Sequence, residues 1–434
     1  MVPMPGMGVD YALESGEIRR REVLVLLGAY LPGYKAGGPT RSIANLVAAL
    51  GTEFDFRIVT RDRDFGDKVP FPGIITNRWV RVGNADVMYV PPGIRGFCVI
   101  WTVLRSVDRD TVLYLNSFFE RRFSILAVVM RRLKLFRPRC LVFAPRGEFS
   151  RGALGFKRKR LRKLLYISLS RLLGLHRGLI WHASSGFEVA DIGRSFPDAR
   201  HIATAGIVPD VKGDCPTASS CIVAEAADLA GITAVVRPTL RSKVQGRLRA
   251  VFVARCSRIK NLSGALMLLA GVSGDVCFDI YGPAEDAEYW AECQDLIAAL
   301  PPNIRVRYEG EIEHERIARV FAEHELFLLP TLGENYGHVI CEALSAGCPV
   351  LISDQTPWRN LEAEGVGWDI PLGEAERFRS ILQQCVDGDD EWFTALSKRA
   401  AEYAAKRASA PETIDANRRL FQTAFAWQSG GDPE

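Results

Sequence analysis

Two glutamates eight positions apart, Glu334 and Glu342, are the residues of this 434-residue chain best placed to do chemistry. Glu334 follows the apolar run Phe327–Leu329 in a turn, and Glu342 lies inside the helix expected next, with Tyr336-Gly337-His338 between them. A strand that ends in a glycine-containing turn and opens a helix leaves backbone N–H groups without intrahelical partners. A phosphate fits such a helix N-terminus, and Gly337 lets the backbone approach it closely. One carboxylate before the phosphate position and one inside the helix would grip hydroxyls on either side of a diphosphate. That is the arrangement a nucleotide sugar requires.

A second cluster, Arg255, Arg258, Lys260 and Asn261, follows the strand expected at Arg249–Ala254. It therefore falls at the carboxyl edge of a sheet, where open α/β sheets take ligands. Departure of a nucleoside diphosphate from an anomeric carbon develops negative charge on the β-phosphate. Arg255, Lys260 and the amides near Gly337, His338 and Val339 would stabilise that charge as preorganised electrostatics. This chemistry calls for no metal and no cofactor. Two Asp-x-Asp tripeptides, Asp62-Arg63-Asp64 and Asp108-Arg109-Asp110, lie far from these motifs with an arginine between the carboxylates, and read as solvated surface charge.

The run Glu334 to Glu342 matches the E-x7-E signature of retaining glycosyltransferases with the GT-B fold. With Pro330-Thr331 before it and Glu342-Ala343-Leu344-Ser345-Ala346-Gly347-Cys348-Pro349-Val350 after it, the segment resembles glycosyltransferase family 4. Arg255 through Lys260-Asn261 is similar to the family's G-R-x4-K-N segment, with Ala254 where glycine is usual. Gly37-Gly38-Pro39 resembles the family's N-terminal glycine loop, which faces the donor phosphates across the cleft; two glycines and a proline also make an ordinary tight turn. Pro145-Arg146-Gly147 stands where the family often has Pro-His-Gly, so an arginine beside the cleft would meet an anionic acceptor or a donor phosphate. His182-Ala183-Ser184-Ser185 with Glu188 resembles a further segment, and a core histidine is the alternative reading.

The resemblance implies retention, with the acceptor hydroxyl attacking the face the leaving group departs from and no enzyme nucleophile. Glu334 would orient the donor sugar, and Glu342 would accept hydrogen bonds from the ribose. The acceptor side would draw on Arg146, Gly147 and His182. The implied activity is sugar transfer, a hexosyl group in particular, from a nucleotide sugar to a glycan or lipid-linked hydroxyl in polysaccharide or glycolipid biosynthesis. Transfer to a sugar phosphate, with Arg146 in an anion pocket, is the alternative enzyme.

The elements around these residues read as two α/β units. Glu22–Leu27 is a strand leading into the glycine-rich loop Gly28–Thr40 and the helix Arg41–Leu50, the opening of a doubly wound domain. Buried strands are expected at Phe56–Thr60, Val87–Val90, Thr111–Leu115, Cys140–Ala144 and Gly178–His182. The second series is Arg249–Ala254, Val276–Tyr281, Asn303–Tyr308, Leu326–Leu329 and Val350–Ile352. This divides the chain into an acceptor-side Rossmann-like domain over 1–206, a linker or irregular insertion over 207–247, and a nucleotide-sugar domain over 248–410. Residues 411–434 form a closing helix which, by the resemblance, crosses back to the first domain.

Composition fits such a protein: 48% hydrophobic and 24% charged, without repeats. Charge is uneven, since residues 1–200 hold 33 Lys+Arg against 17 Asp+Glu and the remainder 22 against 34. The basic half could meet a membrane surface, a phosphorylated acceptor or nucleic acid. Its most basic stretch, Lys157–Arg177, interleaves Lys157, Arg158, Lys159, Arg160, Arg162, Lys163, Arg171 and Arg177 with leucines. This is either an amphipathic helix on an anionic membrane or a domain helix with its apolar face in the core. Only Phe156 and Tyr166 are available for base stacking and no nucleic-acid motif is present, so a nucleic-acid partner is not expected. Ten scattered cysteines read as reduced thiols. Met1–Arg21 has no apolar core of a signal peptide and no run spans a bilayer, so a cytoplasmic protein, peripheral on the inner face of the cell membrane, is expected.

Overall fold

The structure is a computed structural model and describes residues 20–33, 38–155, 157–208, 242–284, 286–408 and 411–427. The expected leader and most of the 207–247 segment lie outside the described residues, as does Gly37. The first sheet contains β1 (Arg21–Leu26), β2 (Phe54–Arg61), β3 (Trp79–Val82), β4 (Ala85–Val90), β5 (Val112–Asn116), β6 (Cys140–Ala144), β7 (Ile180–Ala183) and β8 (Ile202–Thr204). The second contains β9 (Arg247–Val253), β10 (Asp275–Tyr281), β11 (Ile304–Gly310), β12 (Leu326–Leu329), β13 (Val350–Ser353) and β14 (Gly367–Ile370).

Strand order is β3-β4-β2-β1-β5-β6-β7-β8 in the first sheet and β11-β10-β9-β12-β13-β14 in the second. All pairings are parallel except β3 with β4. In each sheet the chain reverses its direction of winding once, between β1 and β5 and between β9 and β12. Loops after those strands part there and leave a crevice.

Parallel strands buried on both faces need continuous apolar runs, which Val23–Leu26 and Val350–Ile352 supply. Alternation sends Val23 and Val25 into one core of the first sheet and Leu24 and Leu26 into the other. The short edge strands β3, β8 and β14 were not apparent from sequence. They contain no such run: β3 includes Arg81 and β14 includes Asp369.

The closing helix, Pro411–Ala426, lies on the first sheet, although it follows the second in sequence. Phe421 sits 5.4 Å from Phe54 and 5.7 Å from Phe56, ring centre to ring centre, and Asn417 Nδ2 donates to the Gly206 carbonyl at 2.7 Å.

One sequence expectation changes and one open alternative narrows. Asp62 and Asp64 are only 3% and 5% exposed: Asp62 accepts from Arg63 and Asp64 accepts the Phe65 amide at 2.7 Å. They are loop-building carboxylates rather than solvated charge, because β2 ends by delivering them under the turn that follows. Asp108 is exposed and caps the Asp110 amide at 2.8 Å. The basic helix, Lys157–Leu172, buries Ile167 and Ser170 but leaves Leu161, Leu165 and Leu172 at 67%, 59% and 82% exposure. Of the two readings of this stretch, these leucines do not fit a core-facing stripe; they share the outer surface with Arg160, Arg162 and Arg171.

On the opposite face of the first sheet from the closing helix, His176 is enclosed by Phe118, Phe143, Trp181 and Phe196, and neither ring nitrogen has a hydrogen-bond partner. Burial, aided by the Arg131 charge, lowers its pKa to about 3. An imidazole neutral in the fold and near 6.5 when unfolded takes up protons on unfolding between those values. Stability is thus complete above pH 6.5 and falls as pH drops, by up to about 1.4 kcal/mol per pH unit. We expect His176→Phe to flatten the decline in melting temperature between pH 6.5 and 5. An unchanged slope would place the titration elsewhere.

Candidate active site

Two turns at the carboxyl edge of the second sheet flank its switch point. The first leaves β9 through exposed Arg255 and forms a 3-10 turn over Arg258–Lys260. Asn261 follows in the left-handed conformation (φ 56°), and its side chain caps the next helix by accepting the Gly264 amide. The Asn261 amide nitrogen also donates to Pro330 O at 2.8 Å, and Leu332 N donates to Ile259 O at 2.7 Å. These bonds fasten the basic turn to the turn after β12.

That fastening brings Lys260 Nζ into contact with Glu334, both side chains being 16% exposed. Arg258 instead forms a two-bond pair with Glu292, at 2.6 and 2.8 Å. Of the basic cluster, Lys260 meets the glutamate and Arg258 turns to the helix beside it.

Gly337 begins the helix His338–Ser345 at φ 78°, and no side chain caps it. A Cβ at this position would lie 2.7 Å from Ile340 Cδ1 and 3.2 Å from Glu334 Cγ. Glycine alone meets both the backbone and the space without strain. Trp358, buried beneath, holds the turn through Nε1–H donated to Tyr336 O at 2.5 Å. Val339 is half-buried in the first turn of the helix and Glu342 one turn further on.

The first domain meets this surface at several points. Arg41, in the first turn of the helix Gly38–Leu50, pairs with Glu342. A Cβ on Gly38 would touch His338 Cδ2 at 3.4 Å. The Ser42 hydroxyl donates to Gly38 O at 2.8 Å, so His338 Nε2, 3.1 Å away, is the donor to Ser42. Ser184 Oγ lies 3.0 Å from the Asn335 side-chain amide, and Asn335 N donates to Glu334 Oε1 at 3.2 Å.

Arg146 and Gly147 form a turn with positive φ (55° and 77°), and a Cβ on Gly147 would stand 2.9 Å from Asn335 Cβ. Gly147 N donates to Glu188 Oε1 at 2.6 Å, while Glu188 Oε2 accepts from Ser184 N and Oγ. His182 is buried, with Nε2 2.8 Å from Ala205 O and Nδ1 2.7 Å from the Tyr114 hydroxyl. Burial, then the Arg146 charge, lowers its pKa to about 3, so it is neutral. Since a carbonyl only accepts, Nε2 carries the proton and Nδ1 accepts from Tyr114. Both nitrogens are engaged within the first domain, as the core-histidine reading has it.

The structure therefore gathers Glu334, Lys260, Gly337, His338, Gly38, Arg146 and Gly147 around one interdomain boundary, with Glu342 at its edge. Asn335, Ser42 and Arg41 belong to it as well and escaped the sequence reading. Adjacency to Glu334 was the available signal for Asn335; none marked the other two. Among the described residues no group of three His, Cys, Asp or Glu side chains is placed to hold a metal, and no disulfide joins any two of the eight described cysteines.

Residues 241–407 match the sequence model of the family described as Glycosyl transferases group 1. Phosphatidyl-myo-inositol mannosyltransferase of Mycobacterium leprae (strain TN) is 26% identical over 137 residues, 30% of this chain and 34% of the relative. Its counterpart from Mycolicibacterium smegmatis is 28% identical over 143 residues, 32% of this chain and 35% of the relative. The matched segment spans about a third of these curated relatives. Anabaena HepE, solved with UDP and glucose, superposes with a TM-score of 0.61 at 15% identity, covering 94% of this chain and all of that one (100%). Sucrose-phosphate synthase from Thermosynechococcus elongatus gives 0.67 at 16%, with coverages of 94% and 100%.

The protein thus has the GT-B fold, two Rossmann-like α/β domains facing each other. The part of the chain that matches the glycosyl transferases group 1 model, residues 241–407, falls in the second domain.

Gly337→Ala should destabilise the protein by about 1–3 kcal/mol, the cost of a strained left-handed residue together with the contact at Ile340. Thermal unfolding checks this; a melting temperature equal to wild type would contradict the turn geometry.

Proposed function

We propose that this protein is a retaining, metal-independent glycosyltransferase of the family 4 type. It moves a hexosyl group from a nucleotide sugar to a hydroxyl of a glycan or lipid-linked acceptor, in polysaccharide or glycolipid biosynthesis. The observation that carries this reading is the Lys260–Glu334 contact beside the uncapped helix at Gly337. A cation, a carboxylate and a helix N-terminus converge at the switch point of a glycosyl transferases group 1 domain.

In this mechanism the diphosphate lies against Lys260, Arg255 and the first amides of the helix from Gly337. Glu334 accepts hydroxyls of the donor sugar and Glu342 those of the ribose. The bond from the anomeric carbon to the β-phosphate oxygen breaks, and the electron pair leaves with the phosphate, where Lys260 and Arg255 stabilise it. The acceptor hydroxyl bonds to the anomeric carbon on the same face and its proton passes to the departing phosphate oxygen. Donor binding would displace Arg41 from Glu342, which couples the nucleotide to the first domain.

A lipid-anchored acceptor is supported by the relatives, both named phosphatidyl-myo-inositol mannosyltransferases, and by the outward leucines of Lys157–Leu172 among exposed arginines. Leucines insert among acyl chains while arginines meet anionic headgroups. No helix among the described residues is long and apolar enough to cross a membrane. We therefore assign the protein to the cytoplasmic side, docked peripherally, and assign the basic surface to lipid rather than nucleic acid.

Two experiments test this. In EDTA, Glu342→Ala should weaken nucleoside diphosphate binding about tenfold, roughly the worth of one hydrogen bond to a charged group. Glu334→Ala should lower turnover on the order of 10²-fold with little change in binding. Equal loss of binding in both variants would overturn the division of roles, and activity abolished by EDTA would overturn the metal-free mechanism. Sedimentation with anionic vesicles should fall several-fold for Leu161→Ser/Leu165→Ser/Leu172→Ser; unchanged sedimentation would leave the helix a solvated domain face.

A further inference from the structure

Two neighbouring polar side chains at the carboxyl edge of the first sheet lack the partners their burial demands. Asn116 is 2% exposed, and neither its amide oxygen nor its nitrogen has a hydrogen bond. Arg146 donates from Nη2 to the Tyr114 hydroxyl at 2.6 Å, while Nε and Nη1 are buried and donate to nothing. Buried polar groups are nearly always satisfied, and an orphaned donor carries its full desolvation cost. Four of the eleven such side-chain atoms among the described residues belong to this pair.

The register sets both at one end of the sheet. Asn116 is paired with Ala144, two residues before Arg146, and shares a sheet face with Tyr114, whose hydroxyl takes the guanidinium. The hydroxyl proton is committed to His182 Nδ1, as derived above, so the Tyr114 oxygen acts toward Arg146 purely as an acceptor. The left-handed turn is pinned by Gly147 N on Glu188, whose carboxylate is taken up by loop amides and the Ser184 hydroxyl. Among the described residues no carboxylate forms an ion pair with Arg146. Gly147 packs on Asn335, which is bonded to Glu334. The turn that carries the unanswered cation thus abuts, through Asn335, the turn of the carboxylate assigned to the transferred sugar.

We propose that Arg146 and Asn116 form a subsite for an oxyanion carried by a sugar in the cleft, a carboxylate or phosphate substituent. The charge makes an acidic sugar the preferred substrate class of this enzyme. A guanidinium with free N–H groups binds such an oxyanion through charge-assisted hydrogen bonds, and the Asn116 amide supplies a further donor. This inference rests on the nucleotide-sugar reading of the site.

Calorimetry on the full chain tests it in two arms. The donor arm compares UDP-glucose with UDP-glucuronate and GDP-mannose with GDP-mannuronate. The acceptor arm compares glucose with glucuronate and glucose 6-phosphate, with UDP or GDP present. Wild type should favour the acidic member in one arm by about tenfold or more, the scale of a charge-assisted contact; the arm tells which sugar bears the oxyanion. Arg146→Asn, neutral and tolerant of the left-handed backbone, should lose the preference and retain nucleoside diphosphate affinity. Arg146→Lys should keep part of it. Nucleoside diphosphate binding without acidic preference in either arm overturns the subsite alone. Absence of all nucleotide binding overturns the nucleotide-sugar reading and the subsite with it.

Discussion

The backbone at Gly337 is the constraint on which the rest of the cleft depends. A positive φ and a space narrowed by Ile340 and Glu334 put any side chain there under strain. The turn after β12 can therefore reverse within a few residues and start a helix with its first amides turned toward the switch point. Glu334 is held on one side of that reversal and Glu342 is carried one helical turn beyond it. Move the glycine, and the carboxylates no longer bracket the same helix terminus.

Around that turn the second domain is rigidly braced. Asn261 caps its own helix and reaches Pro330 O, and Trp358 holds Tyr336 O from below. The Lys260–Glu334 contact is thus fixed by bonds that belong to neither charged group. The first domain is positioned in turn by the closing helix, whose phenylalanines fill the core under β2. The two halves share a structural element as well as a boundary.

Much of the fold was legible because parallel strands need apolar runs, and those runs are long in the middle of each sheet. The short edge strands β3, β8 and β14 were not, since a strand paired on one side tolerates Arg81 or Asp369 and leaves no pattern. Charge was the poorer guide. Asp62 and Asp64 look like solvated residues in the sequence, yet both are buried where β2 ends, satisfied by Arg63 and the Phe65 amide. The leucines of Lys157–Leu172 fit a core stripe and a membrane face equally well in the sequence, and several face outward.

By itself, the sequence determined the order of strands and helices, the glycine that opens the key helix, and the spacing of its two glutamates. Each of these depends on residues near one another in the chain, where local sterics and periodicity act. Tertiary structure alone decided that Arg41 meets Glu342, that Ser184 reaches Asn335, and that His182 is consumed by Tyr114 and Ala205. It also set Arg146 beside Asn116 with donors to spare. Those outcomes depend on how two separately built sheets meet and on which buried groups find partners, and neither is encoded within a short stretch of sequence.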